Sequence, residues 1–274
     1  MNKHRVSRGR IGRVGGLAVA LGIFATPWSA AAAPDGSGPN ISVSHDGDVK
    51  VVKGTATAVS DGRGSTAVAH GFDSYAEATG TNNHAIASGF GSTAIAKGGS
   101  GNTAKASGID STAIAGGGSN NTATASGNFA QAYAGSYPGY DGRQSNNTGN
   151  TAIATGTSSV ARAGIGDHND NNFAKATAGG DAEAGAGTNN DSNTAAASGT
   201  GSLADAGFLN SGNDNNIATA SGGGTAIAGS FGIDSDHNTA SAHGVGSFAY
   251  AGFGGDNFDG FSANATDGQV VHNP

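Results

Sequence analysis

Small apolar residues and polar residues alternate along most of the chain. Between Thr55 and about Gly255 the phrase Ala-x-Ala, flanked by Ser, Thr, Asn and Gly, occurs nineteen times. Both alanines are constant, whereas the residue between them varies from Val68 to Lys105 and Tyr250. Because successive side chains of a strand point to opposite faces, the pattern predicts short strands with inward alanines and a variable residue in solvent.

The alanine pairs fall into two interleaved rows, which indicates two strands in each coil of a repeating structure. Within a row, one first alanine follows another after 17 to 19 residues in the early units and after 21 to 23 residues in the later ones, with one step of 29 to 31 residues at an insertion around residues 137–149. One row runs from Ala113 through Ala130 to Ala161. A period of this length is typical of solenoid proteins. The sequence therefore predicts an all-β fold, a parallel β-solenoid or β-roll of about nine coils.

The ends of the chain differ from the repeats. Residues 1–32 contain five Lys and Arg, then the apolar run from Leu17 to Phe24, then three alanines, which is the pattern of a cleaved signal peptide. A turn signal at Asp46-Gly47 predicts a short hairpin. The remaining predicted segments are an N-terminal cap over 33–64, the β-solenoid repeats over 65–255 and a C-terminal cap over 256–274.

The charge of the chain limits the classes of partner that we expect, and its lack of cysteine excludes disulfides. Removal of residues 1–32 leaves 8 Lys and Arg against 20 Asp and Glu, a net charge of −12. Nucleic acids and anionic membranes need clustered basic residues, so we expect neither as a partner. No other apolar stretch approaches the ~20 residues of a membrane span, and the chain contains no cysteine. We expect a secreted or cell-envelope protein without disulfides or a transmembrane segment in its mature form.

A second periodic position lies two residues before the first alanine of each unit, so its side chain also points inward. In eight successive coils of one row this position is asparagine, whereas the other row mostly has serine. Stacked amides bond to one another and to turn backbone, so the column predicts a structural ladder that satisfies buried polar groups. Its members are Asn83, Asn102, Asn121, Asn150, Asn172, Asn193, Asn216 and Asn238.

Longer turns in the later coils carry aspartate at matching places. Carboxylate and amide oxygens at this density suit Ca²⁺, which takes six to eight oxygen ligands. A hydrated polar edge that deters aggregation explains the same residues. Calcium is the one cofactor that the sequence suggests, and its candidate ligands are Asp170, Asp191, Asp214 and Asp236.

Enzymatic activity is a further alternative. An insertion that begins at Tyr137 carries Tyr140, Asp141 and Arg143, which a polysaccharide-cleaving β-helix enzyme could use to bind sugar. The sequence shows no nucleophile elbow, catalytic-triad order or phosphate loop in a strand-to-helix context. We therefore expect no catalytic and no cofactor-binding residue, and we explain the outward threonines of the first row by the strand propensity of threonine.

Three units connect the chain to a known family: residues 65–71, 92–98 and 111–115. They resemble head-domain repeats of trimeric autotransporter adhesins, and the resemblance covers roughly residues 55–255. It implies a β-roll that binds a surface, matrix or glycan ligand. We find neither the heptad-bearing stalk nor the C-terminal membrane anchor of that family in the sequence, so neither its trimerisation nor its anchoring carries over from the resemblance, and a homotrimer is one arrangement left open.

These features together predict an exported, non-enzymatic β-solenoid that acts as an adhesin-like interaction or structural protein. A rigid solenoid would present repeated side-chain columns and gain avidity from many weak contacts. Two alternatives remain open: a calcium-stabilised structural β-roll and a polysaccharide-active β-helix enzyme.

Overall fold

The structure, a computed structural model, describes residues 40–135 and 146–273. Within these ranges the chain forms strands and turns and contains no helix. It follows that no described residue belongs to a helix long and apolar enough to cross a membrane. The predicted signal peptide, the first seven residues of the predicted N-terminal cap and the segment 136–145, with its four candidate sugar-binding residues, lie outside the described residues.

The described residues form 26 short strands. The first thirteen are β1 (Ile41–His45), β2 (Asp48–Lys53), β3 (Thr57–Asp61), β4 (Thr66–His70), β5 (Tyr75–Thr81), β6 (His84–Ser88), β7 (Thr93–Ser100), β8 (Thr103–Ser107), β9 (Thr112–Gly116), β10 (Gly118–Ser119), β11 (Thr122–Ser126), β12 (Gln131–Ala134) and β13 (Asn147–Thr148). The others are β14 (Thr151–Thr155), β15 (Val160–Ala163), β16 (Gly166–Asp167), β17 (Phe173–Thr177), β18 (Asp181–Thr188), β19 (Thr194–Ser198), β20 (Leu203–Ser211), β21 (Ile217–Ser221), β22 (Thr225–Ala228), β23 (Thr239–His243), β24 (Phe248–Ala251), β25 (Ser262–Thr266) and β26 (Val270–Asn273).

Most strands alternate between two long sheets. Sheet A has the order β2-β1-β4-β6-β8-β11-β14-β17-β19-β21-β23-β25, and sheet B the order β3-β5-β7-β9-β12-β15-β18-β20-β22-β24-β26. Neighbouring strands are parallel throughout sheet B and from β4 onward in sheet A. One coil therefore contains one strand of each sheet and two turns. This confirms the predicted all-β parallel β-solenoid with two short strands per coil and about nine coils.

The core between the sheets consists almost entirely of alanine methyl groups. The strands bury both alanines, and the parallel pairing places alanine beside alanine in the next coil, as at Ala104, Ala123 and Ala152. One buried methyl group contributes only about 0.8 kcal/mol. The backbone ladders between coils, which pair the N–H and C=O groups, must therefore supply much of the cohesion. The predicted inward orientation of the alanines is confirmed.

One alanine unit differs from its predicted register by two residues. Strand β12 pairs Ala132 and Ala134 with the alanines of β9 and β15, so Ala132 rather than Ala130 continues the row of Ala113 and Ala161. Ala130 takes the buried position that serine occupies in neighbouring coils. Residues 130, 132 and 134 are all alanine, and a shift of two keeps each of them inward. Alternation alone could not select between the two registers.

In four units the outer slot between the two alanines is less exposed than predicted. Val68, Ile114, Tyr133 and Ile227 occupy this slot, and none of them is more than 9% exposed. Side chains of neighbouring coils lie one strand spacing, ~4.8 Å, apart, so those above and below cover each long side chain. These four positions are packed, whereas Lys105, Lys175 and Thr219 occupy the same slot and are exposed as predicted.

The N-terminal hairpin lies at one end of both sheets and contacts each of them differently. Strands β1 and β2 pair across the predicted turn, and β1 continues sheet A as the antiparallel neighbour of β4. The hydroxyls of Ser42 and Ser44 accept hydrogen bonds from the backbone N–H groups of Ala58 and Ser60, in the first strand of sheet B, at 3.0 and 3.1 Å. The two serine hydroxyls thus satisfy edge groups of β3, where an open edge would favour aggregation, whereas β2 is the edge strand of sheet A at this end.

The parallel ladders extend beyond residues 65–255 at both ends. Strand β3 lies in the predicted N-terminal cap, and β25 and β26 lie in the predicted C-terminal cap. Phe261 continues the asparagine column, Val271 continues an alanine row, and both pack against the alanine core. Larger inward side chains therefore cover the core at the last described coil.

Replacement of one inward alanine should destabilise the solenoid far more than replacement of its outward neighbour. Ala195 is fully buried between sheets, whereas Ala196 lies in the outer slot beside Lys175 and Thr219. We predict that Ala195→Phe lowers the free energy of unfolding by about 3 kcal/mol or more, because a packed core has no room for a ring. Ala196→Phe should stay within about 0.5 kcal/mol of the parent. Thermal unfolding followed by circular dichroism compares them, and equal losses would contradict the assigned faces.

Candidate functional site

The eight predicted asparagines form one continuous buried column at the turns from sheet B to sheet A. Each is fully or almost fully buried, and the Oδ1 of each member accepts the backbone N–H of the next at 2.8–3.0 Å. The last Oδ1, that of Asn238, accepts the N–H of Phe261 at 2.9 Å. The amide Nδ2 groups donate to turn carbonyls, for example from Asn150 to Asn169 at 2.6 Å. The column thus satisfies main-chain groups that the turns would otherwise bury unpaired.

Glycines leave the space that these amides occupy. Gly185 has a φ of +63°, in the left-handed region, and a Cβ at this position would lie 2.3 Å from the Cγ of Asn172. Gly207 has the same relation to Asn193, with a Cβ distance of 2.5 Å to Nδ2. Both the backbone conformation and the available space therefore require glycine here.

A second buried asparagine column, which the sequence analysis missed, accompanies the first in the longer coils. It is fully buried and consists of Asn147, Asn169, Asn190 and Asn213. Each Oδ1 accepts the backbone N–H of the next member at 2.8–2.9 Å, and the last accepts that of Ser235 at 2.9 Å. The available signal is the phrase Asn-Asp-x-Asn, which occurs at 169–172, 190–193 and 213–216. The longer turns therefore add a complete second ladder.

The four candidate calcium ligands form a third column at the same turns. The Oδ1 atoms of Asp191, Asp214 and Asp236 accept the backbone N–H of the preceding aspartate at 2.6–2.7 Å, and Asp170 accepts that of Thr148 at 2.6 Å. The structure brings these side chains into one row, but the described residues contain no group of three or more His, Cys, Asp or Glu placed to hold a metal ion. The hydrogen bonds explain the spacing of the aspartates without calcium.

Stacked carboxylates affect one another electrostatically. Burial raises the pKa of Asp214, and the neighbouring charges of Asp191, Asp236 and Asp234 raise it further, although its hydrogen bond with the backbone of Asp191 lowers it. The row is therefore held against like-charge repulsion by its bonds to the backbone.

A charged cluster on the outer face of sheet B was not predicted from the sequence. Arg162 Nη1 lies 2.7 Å from Asp181 Oδ1 and 3.5 Å from Glu183 Oε2, on neighbouring strands. Asp205 continues the column of Glu183 in the next coil. Burial raises the pKa of Asp205 to about 7, and the charges of Glu183 and Asp181 add to this effect while Arg162 opposes it. Burial also raises the pKa of Glu183. The Arg162 guanidinium thus pairs with two carboxyl groups and partly offsets the effect of burial on the pKa of a third.

Columns of hydroxyl groups cover the outer face of sheet A. Thr103, Thr122 and Thr151 pair in register at the start of their strands. A second hydroxyl column follows the alanines: Ser107 bonds to Ser126 at 3.3 Å, and it continues through Thr155, Thr177, Ser198 and Ser221. The sheet therefore presents one hydroxyl row from Ser88 to Ser221 beside a shorter one from Thr103 to Thr151, which Phe173 interrupts.

Comparison with protein families, curated proteins and solved structures finds no match to this chain. The relationship to trimeric autotransporter adhesins therefore stays a prediction from the repeat motifs.

Loss of one ladder amide should unpair several buried groups at once. Asn150 Nδ2 donates to Asn121 Oδ1 and to the carbonyl of Asn169, and its Oδ1 accepts the N–H of Asn172. Each buried polar group left without a partner costs about 1–3 kcal/mol, so we predict that Asn150→Leu lowers the unfolding free energy by at least about 3 kcal/mol. Asn264→Leu, at an exposed outer slot of β25, is the matched control and should be nearly silent in urea unfolding.

Mild acid should stabilise the solenoid through Asp205. Its pKa of about 7 in the folded chain exceeds the ordinary value of 3.8, so the folded state binds more protons than the unfolded state between these limits. Stability must then rise as pH falls through this window. We predict a higher melting temperature near pH 5 than above pH 7, and a weaker pH dependence in Asp205→Asn. The exposed control Asp267→Asn should retain the parent profile; an unchanged profile in Asp205→Asn would contradict the assignment.

Proposed function

We propose that the chain is an exported, non-enzymatic β-solenoid that acts as an adhesin-like interaction or structural protein outside the cell. The observation that carries this proposal is the in-register stacking of outward side chains, which repeats hydroxyl groups coil after coil along sheet A. A regular array offers the same weak contact many times, and linked weak contacts give high avidity. The signal-peptide pattern of residues 1–32 supports export, and the resemblance of the repeats to adhesin heads supports a surface, matrix or glycan ligand.

The use of polar side chains supports a non-enzymatic role. Asparagine, aspartate and serine side chains in the turns are committed to backbone hydrogen bonds between coils, as at Asn172, Asp191 and Ser202. Side chains that hold the backbone in this way maintain the shape of the solenoid. This arrangement favours binding by a rigid surface. Its backbone is already ordered before a partner arrives, so binding requires little further loss of conformational entropy.

Adhesion under flow tests the proposed function. Beads coated with the full chain at increasing density should be retained on immobilised collagen, fibronectin, peptidoglycan or cultured cells, and retention should rise more steeply than the density because of avidity. Beads coated with the Ala195→Phe variant should lose retention, while beads with Ala196→Phe should keep it. Failure of parent beads on all four surfaces, or release of sugars from the glycans among them, would overturn the proposal.

A further inference from the structure

Six rings meet on the outside of the last coils. Phe231 lies 6.0 Å from Phe208 and 5.2 Å from Phe253 between ring centroids, and Tyr250 lies 5.2 Å from Phe253 and 6.5 Å from Phe248. His272 completes the group, at 6.0 Å from Tyr250 and 6.2 Å from Phe253. We call these six residues the aromatic surface.

The aromatic surface belongs to the exterior of the solenoid. Phe231 and Phe248 are 45% and 37% exposed, His272 is exposed, and the other three rings are partly exposed. The core beneath these rings consists of alanine, so the rings are not required to fill it. Contiguous exposed apolar groups on a soluble protein mark interaction sites, and aromatic residues supply the largest contributions to binding at protein interfaces.

The charge around these rings has one sign. The turns that carry Phe231 and Phe253 also carry Asp234, Asp256 and Asp259, all exposed. Asp256 Oδ1 accepts the N–H of Ile233, two residues after Phe231, which places this carboxylate in the coil adjacent to that ring. From residue 176 to residue 274 the sequence contains ten Asp and Glu and no Lys or Arg. A partner that docks on the rings therefore meets carboxylates without a competing protein cation.

We propose that the aromatic surface binds a basic polypeptide segment of a partner, rich in arginine and lysine. The faces of Tyr and Phe attract guanidinium and ammonium groups, by about 0.5–1 kcal/mol for each exposed contact. The flanking carboxylates add charge-assisted hydrogen bonds and speed the approach of a cationic chain. This inference rests on the proposed function and narrows it by naming the chemistry of one partner.

Other occupants fit the same surface less well. A second copy related by twofold symmetry would bring the same acidic turns against each other, and like charges across an interface are unfavourable. A sugar chain stacks best on a flat row of rings. Only Phe248 and Tyr250 among these rings are nearly parallel, at 6°, whereas Phe231 meets Phe208 and Phe253 at 75° and 69°, and Phe253 meets His272 at 84°. Edge-to-face rings with flanking carboxylates instead offer separate faces to individual cationic side chains.

Peptide binding to the full chain tests this proposal. A dodecameric oligo-arginine peptide labelled with a fluorophore should bind with an affinity that weakens as salt increases, and an oligo-glutamate peptide should not bind. The double variant Phe231→Ala/Tyr250→Ala should lose at least about fivefold in affinity, from the loss of two or more cation–π contacts. Asp234→Asn/Asp256→Asn should lose a similar factor and show a shallower salt dependence, while an amide oxygen at position 256 can still accept the backbone N–H of Ile233.

The matched control is the ring pair at the other end of the solenoid. Phe72 and Phe90 stack at 5.3 Å, and Phe90 is 48% exposed, but Arg63 and Lys97 lie in the same early coils. Phe72→Ala/Phe90→Ala should therefore bind oligo-arginine as the parent does. Circular dichroism and melting temperature verify that each variant is folded.

Three results would overturn the proposal. The first is equal affinity of the parent and the aromatic double variant for oligo-arginine. The second is self-association that the aromatic double variant abolishes, which would assign the surface to a second copy, and the third is tighter binding of a neutral hexasaccharide than of the peptide. The proposed function is judged separately: parent beads that adhere while oligo-arginine fails to bind would overturn only the partner, whereas non-adherent parent beads would overturn the function itself.

Discussion

The hydrogen bond from a backbone N–H to an asparagine Oδ1 in the preceding coil is the interaction on which this fold depends. An alanine core keeps the two sheets close together, so each turn must reverse the chain in little space while its polar groups point inward. An amide side chain carries both an acceptor and two donors, and it bridges successive coils and turn carbonyls at once. Because every amide needs its neighbour at the height of the next coil, the ladder also fixes the register in which the alanines, hydroxyls and aspartates stack.

The longer coils use the same hydrogen bond between a backbone N–H and an asparagine side chain a second time. Between Asn147 and Asn213 the additional turn residues supply a second buried amide column and an aspartate row beside it. The aspartates lie outside the amides, and hydrogen bonds from the backbone hold their like charges in line. Acidic character therefore accumulates along one edge of the later coils, next to the exposed rings that begin at Phe208. Shape and surface charge arise there from the same stacked turns.

Features that recur on the same side of the strand in coil after coil could be predicted from the sequence. Features that depend on which residues meet in neighbouring coils could not. The inward alanines and the column from Asn83 to Asn238 follow from period and alternation alone. The shift at Ala132 escaped prediction because a run of alternating alanines satisfies two registers equally. The cluster around Arg162 escaped because Asp181, Glu183 and Asp205 come from later coils, and only the stacking distance shows that they lie close enough to alter one another's protonation.

The direction of the backbone hydrogen bonds has a mechanical consequence. In both sheets these bonds run along the solenoid axis, from one coil to the next, while the chain itself runs across that axis. Tension applied between the two ends therefore pulls each ladder open bond by bond, and a coil that detaches leaves its neighbour as the new edge. The molecule should yield to stretching in a series of similar steps, each the release of one coil, and would act as an extensible tether that dissipates force one coil at a time.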